Sequence, residues 1–462
     1  MSILSQIDPR CLRRLAAAMV ARPGEYADLF LERTAHAVVL RDGRSGVTTW
    51  HGASEGAAAR WLEAATERQI STGSLREEAL RALVRREAPG LESDPAPRPG
   101  TADGPPEVAA LAGEVARYLE DVEAAALAGA REGALFSARA EVRFQRIAVA
   151  TSEGEVAEDG RHWIAFTARL GALRAPAGTP ARGVCEGGGG RDLGRLRELH
   201  PPSSVGAAMA RSLREMEEAA PAPSGETSIV LAPGAGGIFF HESCGHALEA
   251  DSALRGRSAV VELLGERVGP QELTLVDDPT VPGLAGSFRI DDEGWPAGRN
   301  VLIDSGRLVG LMLDRATALR AGMPPTGNAR RESYRDRPLP RMTNTFLCDG
   351  PHPPEEILAS VRRGVYVAEL GNGEVDTASG DFSFRVRRAY LIAGGRAVAP
   401  IGPAIISGNG VRALRGIRMI GRDLCFDPGT GECGKEGQRA RAAVGQPTLR
   451  VDGLAIRPEG GA

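Results

Sequence analysis

The segment Gly237-Ile-Phe-Phe-His-Glu-Ser-Cys-Gly-His-Ala-Leu-Glu-Ala-Asp251 carries the strongest chemical pattern in the sequence. An apolar stretch leads into two histidines that flank a glutamate. A hydrolytic zinc site uses this combination, because neutral imidazole nitrogens hold the metal and a carboxylate takes a proton from a water that the metal acidifies. The alternative interpretation is that both histidines are structural residues of a buried helix.

The spacing of the two histidines predicts a distorted helix. Familiar zinc peptidases place their histidines four residues apart, whereas His241 and His246 are five apart. On a regular helix that spacing puts the two rings roughly 140° apart, so they could not share a metal. Gly245 lies between them and permits a widened, π-like turn, which is a distortion typical of functional sites.

A third metal ligand is needed, and two cysteines compete for the role. Cys244 lies three residues after His241 and shares a helical face with it. Cys433 lies in the turn-rich segment Gly431-Glu-Cys-Gly-Lys-Glu-Gly-Gln438, beside Lys435, which is the only lysine of the chain. A nearby positive charge lowers a thiol pKa and favours the thiolate. Spacing alone leaves both cysteines possible.

Length and composition limit the class of protein. The chain has 462 residues, 42% of them apolar and 25% charged, which is typical of a globular protein with two or three domains. The formal net charge of −4 argues against a nucleic-acid binder. We also expect no membrane span and no secretory signal, and the six scattered cysteines indicate a reducing compartment. A cytoplasmic protein is therefore expected.

The pattern of elements predicts an α+β fold in two domains. Residues 1–220 should combine helices with an antiparallel sheet, and residues 226–462 should form a β-rich domain that carries the metal site, with a boundary at Pro221–Gly225. Within the first domain we expect a mobile Pro/Gly-rich loop at 88–106 and a flexible glycine loop at 185–191. Further expectations are a hairpin formed by 26–32 and 36–43, and helices at 9–21, 55–68, 75–86, 107–132 and 203–219.

The sequence resembles the TldD/PmbA family of metalloproteases over about half of its length. The segment from His241 to His246 resembles the HExxxH motif of that family. Further ordered similarities are Asp291–Gly294, Pro325–Tyr334, Pro340–Thr345, Val375–Phe384, Ala389–Ile392, Cys433–Gln438 and Val444–Leu449. Because the histidine motif is present, the chain resembles the TldD-like catalytic branch rather than the branch that lacks the motif.

The resemblance implies a zinc-dependent peptidase. It assigns His241, His246 and Cys433 as Zn²⁺ ligands and Glu242 as the general base on a zinc-bound water. It also implies unfolded or extended peptides as substrates, and a dimer with an identical chain or with a motif-less relative. The alternative is a non-catalytic zinc-stabilised scaffold, or a regulatory partner of a related peptidase subunit.

Several other polar residues are weaker candidates. The acidic triplet Asp291–Glu293 could bind a cation, but a solvated turn is the favoured interpretation. Glu249 or Asp251 could orient a ligand imidazole through its second ring nitrogen. Arg331 and Asn344 could contact a peptide main chain, although we favour structural roles for both. The sequence leaves the roles of Cys244 and Lys435 open.

Overall fold

The N-terminal half is built around one long antiparallel sheet. The computed structural model describes residues 2–22, 25–63, 66–85, 105–172, 183–255, 258 and 261–459. The strands of this sheet are β1 (Tyr26–Asp42), β2 (Gly46–Glu63), β3 (Thr66–Thr72), β4 (Ala134–Thr151), β5 (Val156–Ala172) and β6 (Gly183–Gly190). They are ordered β3-β2-β1-β4-β5-β6 with every neighbouring pair antiparallel.

Helices cover one face of this sheet. They are α1 (Pro9–Ala17), α2 (Glu77–Val84), α3 (Pro106–Gly129), α4 (Leu193–Leu199) and α5 (Pro202–Glu218). Along β1, Leu29 and Leu31 pack in the cluster of α1 and α2, whereas Ala37 and Val39 pack in the cluster of α3 and α5. All four positions are odd-numbered, so the two helix pairs cover the same face of the strand at opposite ends.

The opposite face of the sheet contacts the C-terminal half. On β1 the even-numbered Phe30 packs with Tyr334, and on β4 the same cluster contains Ile147 and Val149. Since side chains alternate between the two faces of a strand, these residues face away from the helices. The sheet is therefore a layer between the N-terminal helices and the C-terminal half.

The C-terminal half contains two larger sheets and two hairpin-like pairs. The strands are β7 (Gly225–Leu231), β8 (Leu275–Asp277), β9 (Asn300–Asp304), β10 (Arg307–Leu308), β11 (Ala329–Arg330), β12 (Leu339–Pro340), β13 (Asn344–Leu347), β14 (Arg363–Val375), β15 (Asp381–Ala393), β16 (Arg396–Ile401), β17 (Ala404–Asn409), β18 (Ile417–Ile420), β19 (Cys425–Phe426), β20 (Glu432–Lys435), β21 (Gln438–Arg441), β22 (Ala443–Gln446) and β23 (Leu449–Pro458). One sheet runs β10-β9-β8-β13-β22-β19. In the other, β14, β7, β23, β17 and β15 form a closed ring of pairings, with β16 and β18 attached.

Short helices connect these strands. They are α6 (Ile238–Phe240), α7 (Ala250–Leu254), α8 (Arg315–Ala321), α9 (Pro354–Ala359) and α10 (Gly410–Gly416). The expected α+β fold, with a β-rich C-terminal half, is confirmed. No helix among the described residues is both long and apolar enough to cross a bilayer. The predicted loop lies almost wholly outside the described residues, since only positions 105 and 106 are described. The domain boundary at Pro221–Gly225 stays a prediction.

Two local predictions in the first sheet are wrong. The expected hairpin within residues 26–43 is the single strand β1, because the turn comes later, where Asp42 accepts hydrogen bonds from the backbone of Arg44 and Ser45. The expected helix at 55–68 lies in β2 and β3. Residues 56–62 are buried on both faces, so this strand shows a continuous small and apolar run instead of alternation.

The glycine segment at 185–190 is the edge strand β6 instead of a flexible loop. A Cβ on Gly189 would lie 2.3 Å from the carbonyl oxygen of Gly429, and a Cβ on Gly188 would lie 2.5 Å from the ring of His200. The glycines are thus explained by close approach of neighbouring backbone and side chains. Sequence-based reasoning could not foresee these contacts, since both partners are distant or outside the strand.

Candidate metal centre

The histidine motif lies in a π-helical turn. After α6, residues His241–Gly245 form this turn, in which the N–H of His246 donates to the carbonyl of His241, and a 3-10 turn at His246–Leu248 follows. The glycine is required because a Cβ on Gly245 would lie 2.3 Å from the sulfur of Met342. The predicted distortion is confirmed. One extra residue in the turn brings the two histidines to the same side.

The turn and the β20 strand bring three ligand atoms together. The Sγ of Cys433 lies 3.2 Å from Nε2 of His241 and 3.5 Å from Nε2 of His246. All three atoms lie within 4.8 Å of one another. The imidazole rings are nearly perpendicular, with centroids 5.0 Å apart. Residues that are nearly 190 positions apart in sequence therefore converge on one point.

The spacing of these atoms fits a tetrahedral zinc ion. With Zn–S near 2.3 Å and Zn–N near 2.0–2.1 Å, tetrahedral geometry separates sulfur from nitrogen by about 3.6 Å. The observed separations of 3.2 and 3.5 Å are close to that value. Two imidazoles and a thiolate are also a donor set that zinc prefers, and three protein ligands leave a fourth position open. The chemistry of the donors and the two sulfur–nitrogen separations both fit the metal.

The electrostatics of the triad favour the thiolate. Burial alone would raise the pKa of Cys433, but His241 and His246 outweigh it and hold that pKa well below the usual range. Burial would lower the pKa of His246, but the charges of Glu249 and Cys433 hold it well above normal. A thiolate is the form of cysteine that binds metal, so the thiol is prepared for coordination.

A buried carboxylate orients His246. The Nδ1–H of His246 donates to Oε2 of Glu249 at 3.0 Å, which leaves Nε2 of the same ring available for a metal. Glu249 also accepts the backbone N–H of Met342, and its Oε2 lies 3.0 Å from the ammonium of Lys435. That ammonium donates to Asp251 at 2.6 Å. Of the two predicted acidic residues, Glu249 contacts the imidazole and Asp251 contacts the lysine.

The role expected for Lys435 is therefore different from its observed contacts. We expected its charge to favour the thiolate of Cys433, but the ammonium is paired with Glu249 and Asp251, and the two histidines lower the thiol pKa. The lysine affects the site indirectly, because it compensates the negative charge of Glu249, the buried carboxylate that holds His246. A compact ammonium suits this position between two carboxylates.

Sequence reasoning missed Arg341. This residue is 1% exposed, and its guanidinium donates to the carbonyl oxygens of Cys433 and Gln438. It thereby ties the β20–β21 hairpin, which supplies the sulfur, to the rest of the site. Arg341 lies in the segment Pro340–Thr345 that carries the family resemblance, which was the available signal.

Cys244 lies outside the triad. Its thiol is buried and donates to the carbonyl of Phe240 at 3.4 Å. Burial raises the pKa of this thiol to about 12. A buried neutral cysteine of this kind behaves as a small apolar residue. The structure thus distinguishes the two cysteines that the sequence left open.

Glu242 lies beside the triad at the wall of a cleft. Its Oε2 is 3.9 Å from Nε2 of His246, and its side chain is 15% exposed. Burial raises the pKa of Glu242 although both histidines act in the opposite direction. The cleft has a volume of about 830 Å³ and is lined by the triad, by Glu242, and by parts of β6 and β14. A carboxylate that faces both the ligand atoms and the cleft can accept a proton from a molecule bound there.

The acidic triplet is not a solvated turn, and it does not present a free cation site. Asp291, Asp292 and Glu293 are at most 2% exposed. Asp292 pairs with Arg161 at 2.7 Å, and Glu293 pairs with Arg60 at 2.6 Å. Both arginines come from the N-terminal sheet, so long-range ion pairs explain the burial of these two carboxylates. Asp291 instead accepts the backbone N–H groups of Glu293, Trp295 and Ala329.

Arg331 and Asn344 have structural contacts. The backbone N–H of Arg331 donates to Asp292 at 2.7 Å, and its guanidinium lies 4.2 Å from the ring centre of Phe30. The side chain of Asn344 accepts the N–H of Gly286 and donates to the carbonyl of Asp278. Both residues fix loops, as the sequence analysis favoured.

Fold and site together define a candidate metallopeptidase centre, and similarity to known proteins gives the family. Residues 224–458 match the family model described as PmbA/TldA metallopeptidase C-terminal domain. The chain belongs to the PmbA/TldD metallopeptidase family, as the resemblance of its motifs predicted.

Curated relatives carry the name of the TldD branch. The metalloprotease TldD homolog of Buchnera aphidicola from Acyrthosiphon pisum is 35% identical over 323 residues, which is 68% of this chain and 66% of the relative. That of Haemophilus influenzae is 35% identical over 317 residues, or 68% of this chain and 65% of the relative. The zinc metalloprotease TldD homolog of Saccharolobus solfataricus is 34% identical over 234 residues, or 50% and 52%. The chain spans just under two thirds of the length of the first two relatives.

Solved structures share the fold over nearly the whole chain. TldE from Thermococcus kodakarensis superposes with a TM-score of 0.74 at 16% identity, and covers 97% of this chain and 99% of its own. A putative modulator of a DNA gyrase from Thermotoga maritima gives a TM-score of 0.74 at 18% identity, with the same coverage. At sequence identities of 16% and 18%, the structural similarity establishes a shared fold.

Proposed function

We propose that this protein is a zinc-dependent peptidase that hydrolyses unfolded or extended peptides, with Glu242 as the general base. The observation that carries the proposal is the convergence of His241, His246 and Cys433 beside Glu242 on an open cleft. The names of the relatives support the general class, since they are metalloproteases, and one is named a zinc metalloprotease.

The three ligand residues would hold Zn²⁺ through two imidazole nitrogens and one thiolate. Bound zinc would supply a Lewis acid that acidifies water and polarises the scissile carbonyl. Glu249 and Lys435 keep Nδ1 of His246 engaged, so that Nε2 remains directed at the metal position. Such carboxylate partners fix ring orientation and increase the basicity of the ligand.

Glu242 would move the proton. Its carboxylate lies within 3.9 Å of a ligand nitrogen, close enough to contact a water molecule that also approaches the triad. The carboxylate takes a proton as the water attacks the amide carbon, and then gives it to the nitrogen of the leaving amine. Partial burial raises the pKa of Glu242, which makes it a better base than an exposed glutamate.

The walls of the cleft are suited to an extended peptide. Among the described strands β6 pairs only with β5. On its other edge the N–H of Gly189 donates to the carbonyl of Pro428, and Glu186 and Gly187 border the cleft. On the opposite wall, β14 leaves its pairing with β7 after Val367, and Ala368–Gly371 lines the cleft. Free backbone groups on strand edges bind extended peptides by strand addition, with few demands on side chains.

The test combines metal content with peptide cleavage. Glu242→Gln should retain stoichiometric zinc but lose about 10²–10⁴-fold in turnover of an unstructured peptide, since an amide cannot accept the proton. Glu132→Gln, at an exposed position that does not line the cleft, is the matched control. Full turnover by Glu242→Gln would contradict the proposal and favour the scaffold alternative.

The resemblance also supports a dimer as part of the proposal. The partner would be an identical chain or a motif-less relative, and the dimer would enclose the cleft. Light scattering of the purified chain at micromolar concentration tests the first possibility. A strictly monomeric chain with full peptidase activity would contradict the proposed role of an enclosing partner.

A further inference from the structure

A second pocket, which shares no lining residue with the cleft at the metal centre, is lined by arginines. It lies between the N-terminal sheet and the C-terminal half, and has a volume of about 50 Å³. This is space for about four water-sized molecules or one small ion. The arginines that line it are Arg143, Arg161, Arg191, Arg330, Arg331, Arg439 and Arg441.

Carboxylates compensate only part of this charge. Arg161 pairs with Asp292 at 2.7 Å, and Arg441 pairs with Glu141 at 3.2 Å. Two more, Arg331 and Arg439, have a carboxylate oxygen at 3.8 and 3.4 Å. The remaining three, Arg143, Arg191 and Arg330, have no carboxylate within 4.0 Å among the described residues. The lining itself thus contains seven guanidinium groups and one carboxylate, that of Glu332, while the carboxylate of Glu32 acts on Arg143 from outside the lining.

Arg330 is the most unusual member of this group. It is 5% exposed, and its guanidinium donates to the carbonyl oxygens of Arg441 and Met342. Its Nε atom is buried and has no hydrogen-bond partner in the described part of the chain. A buried charge is costly unless it is fully paired. Burial and the nearby Arg161 lower the pKa of Arg330 to about 10, although the charges of Asp292 and Asp277 act in the opposite direction.

Three of the arginines that line the pocket are held in place. Arg161 and Arg330 both lie over the ring of Phe288, at 4.9 and 5.2 Å from its centre. Arg143 is anchored by donating to the carbonyl of Glu332 at 3.0 Å. Preorganised guanidinium groups bind tetrahedral and planar oxyanions through paired N–H donors.

We propose that this pocket binds a small, multiply charged oxyanion, of the phosphate or sulfate type. The anion would place a negative charge in direct contact with Arg143, Arg191 and Arg330, which have no carboxylate within 4.0 Å in the described part of the chain. The site is coupled to the metal centre through one hairpin, because Ala440 lines the pocket and is paired across β20–β21 with Cys433. The proposal does not depend on peptidase activity, since it rests on other residues.

The test is calorimetric titration of the zinc-loaded full chain with inorganic phosphate, and separately with sulfate, at constant ionic strength in chloride. Saturable binding of at least one of the two anions is expected. Arg143→Gln should weaken it about tenfold or more, since hydrogen bonds to charged groups contribute that much. Arg330→Lys keeps the charge but loses the paired N–H donors of the guanidinium, so this variant should weaken anion binding as well.

Arg139→Gln is the matched control, because Arg139 is an exposed arginine four residues before Arg143 on the same strand. It should change the affinity less than twofold. Equal losses in Arg139→Gln and Arg143→Gln would indicate general electrostatic attraction and overturn the proposal. It would also be overturned if neither phosphate nor sulfate bound above the level of chloride, or if Arg143→Gln and Arg330→Lys both bound as tightly as the unchanged chain.

Discussion

Two buried cysteines near the histidine motif provide a matched pair of variants. Cys433 places its sulfur 3.2 and 3.5 Å from the two ligand nitrogens. Cys244 is one residue from Gly245, yet its thiol donates to a backbone carbonyl inside the core. Changing either cysteine to alanine removes one sulfur atom, so the two variants differ only in the position of the lost thiol. We expect Cys433→Ala to lose the metal and Cys244→Ala to keep it.

The size of the effect follows from the number of ligands. Zinc bound by four ligands contributes about 10–16 kcal/mol, so one ligand corresponds to about 2.5–4 kcal/mol, or about two to three powers of ten in Kd. Cys433→Ala should weaken zinc binding by that factor. Cys244→Ala removes one buried group and should lower the free energy of unfolding by about 1 kcal/mol, with little change in zinc affinity.

The assay is competition for zinc with a chromophoric chelator, combined with denaturant unfolding of each variant. Unfolding controls for the possibility that a variant loses zinc because it is not folded. The reasoning would be refuted if Cys244→Ala lost zinc while Cys433→Ala kept it. In that case the metal would have to be bound within the π-helical turn alone.

Three further predictions concern stability and the surroundings of the site. Lys435→Met should lower the free energy of unfolding by about 3–5 kcal/mol, because it leaves buried carboxylates unpaired. It should also weaken zinc binding about 10–100-fold. Unchanged unfolding and zinc titrations would contradict this prediction. Gly189→Ala should destabilise the protein by about 1–3 kcal/mol, since its Cβ would meet a backbone oxygen at 2.3 Å. Gly113→Ala has open space around its Cβ in α3 and should stabilise the protein by up to about 1 kcal/mol. Thermal unfolding of both variants checks the opposite signs. Burial and the nearby Glu369 raise the pKa of Glu186 from 4.5 to about 7. The folded protein therefore holds a proton that the unfolded chain releases at lower pH, so stability should fall as the pH rises from about 4.5 to about 7. Glu186→Gln should lessen this decline, and identical pH profiles of the two proteins would contradict the assignment.

The chemistry of the site was largely predictable because it is local. The spacing of His241 and His246 around Gly245 required a widened turn, and the structure has a π-helical turn there. The choice of Cys433 came from resemblance, since spacing could not select between two cysteines. Only the fold places β20 against the turn, through contacts such as those of Arg341 with the hairpin.

Two of the failed predictions share one physical cause, which is contact with distant parts of the chain. The alanine-rich stretch of β2 resembles a helix, but it is buried between two layers and pairs with β1 along its length. The triplet Asp291–Glu293 resembles a solvated turn, but it is buried, and arginines from the N-terminal sheet pair with Asp292 and Glu293. Local patterns cannot report which layer will cover a strand or which charge will meet a carboxylate.

The most direct test of the peptidase proposal is zinc reconstitution. The chain is stripped with chelator, one equivalent of Zn²⁺ is added back, and cleavage of an unstructured peptide is followed for the unchanged chain and for Glu242→Gln. We predict that zinc restores cleavage to the unchanged chain, while the variant binds the same equivalent of zinc and stays at least about 10²-fold slower. Equal cleavage by both proteins, or no cleavage by the zinc-loaded unchanged chain, would contradict the account.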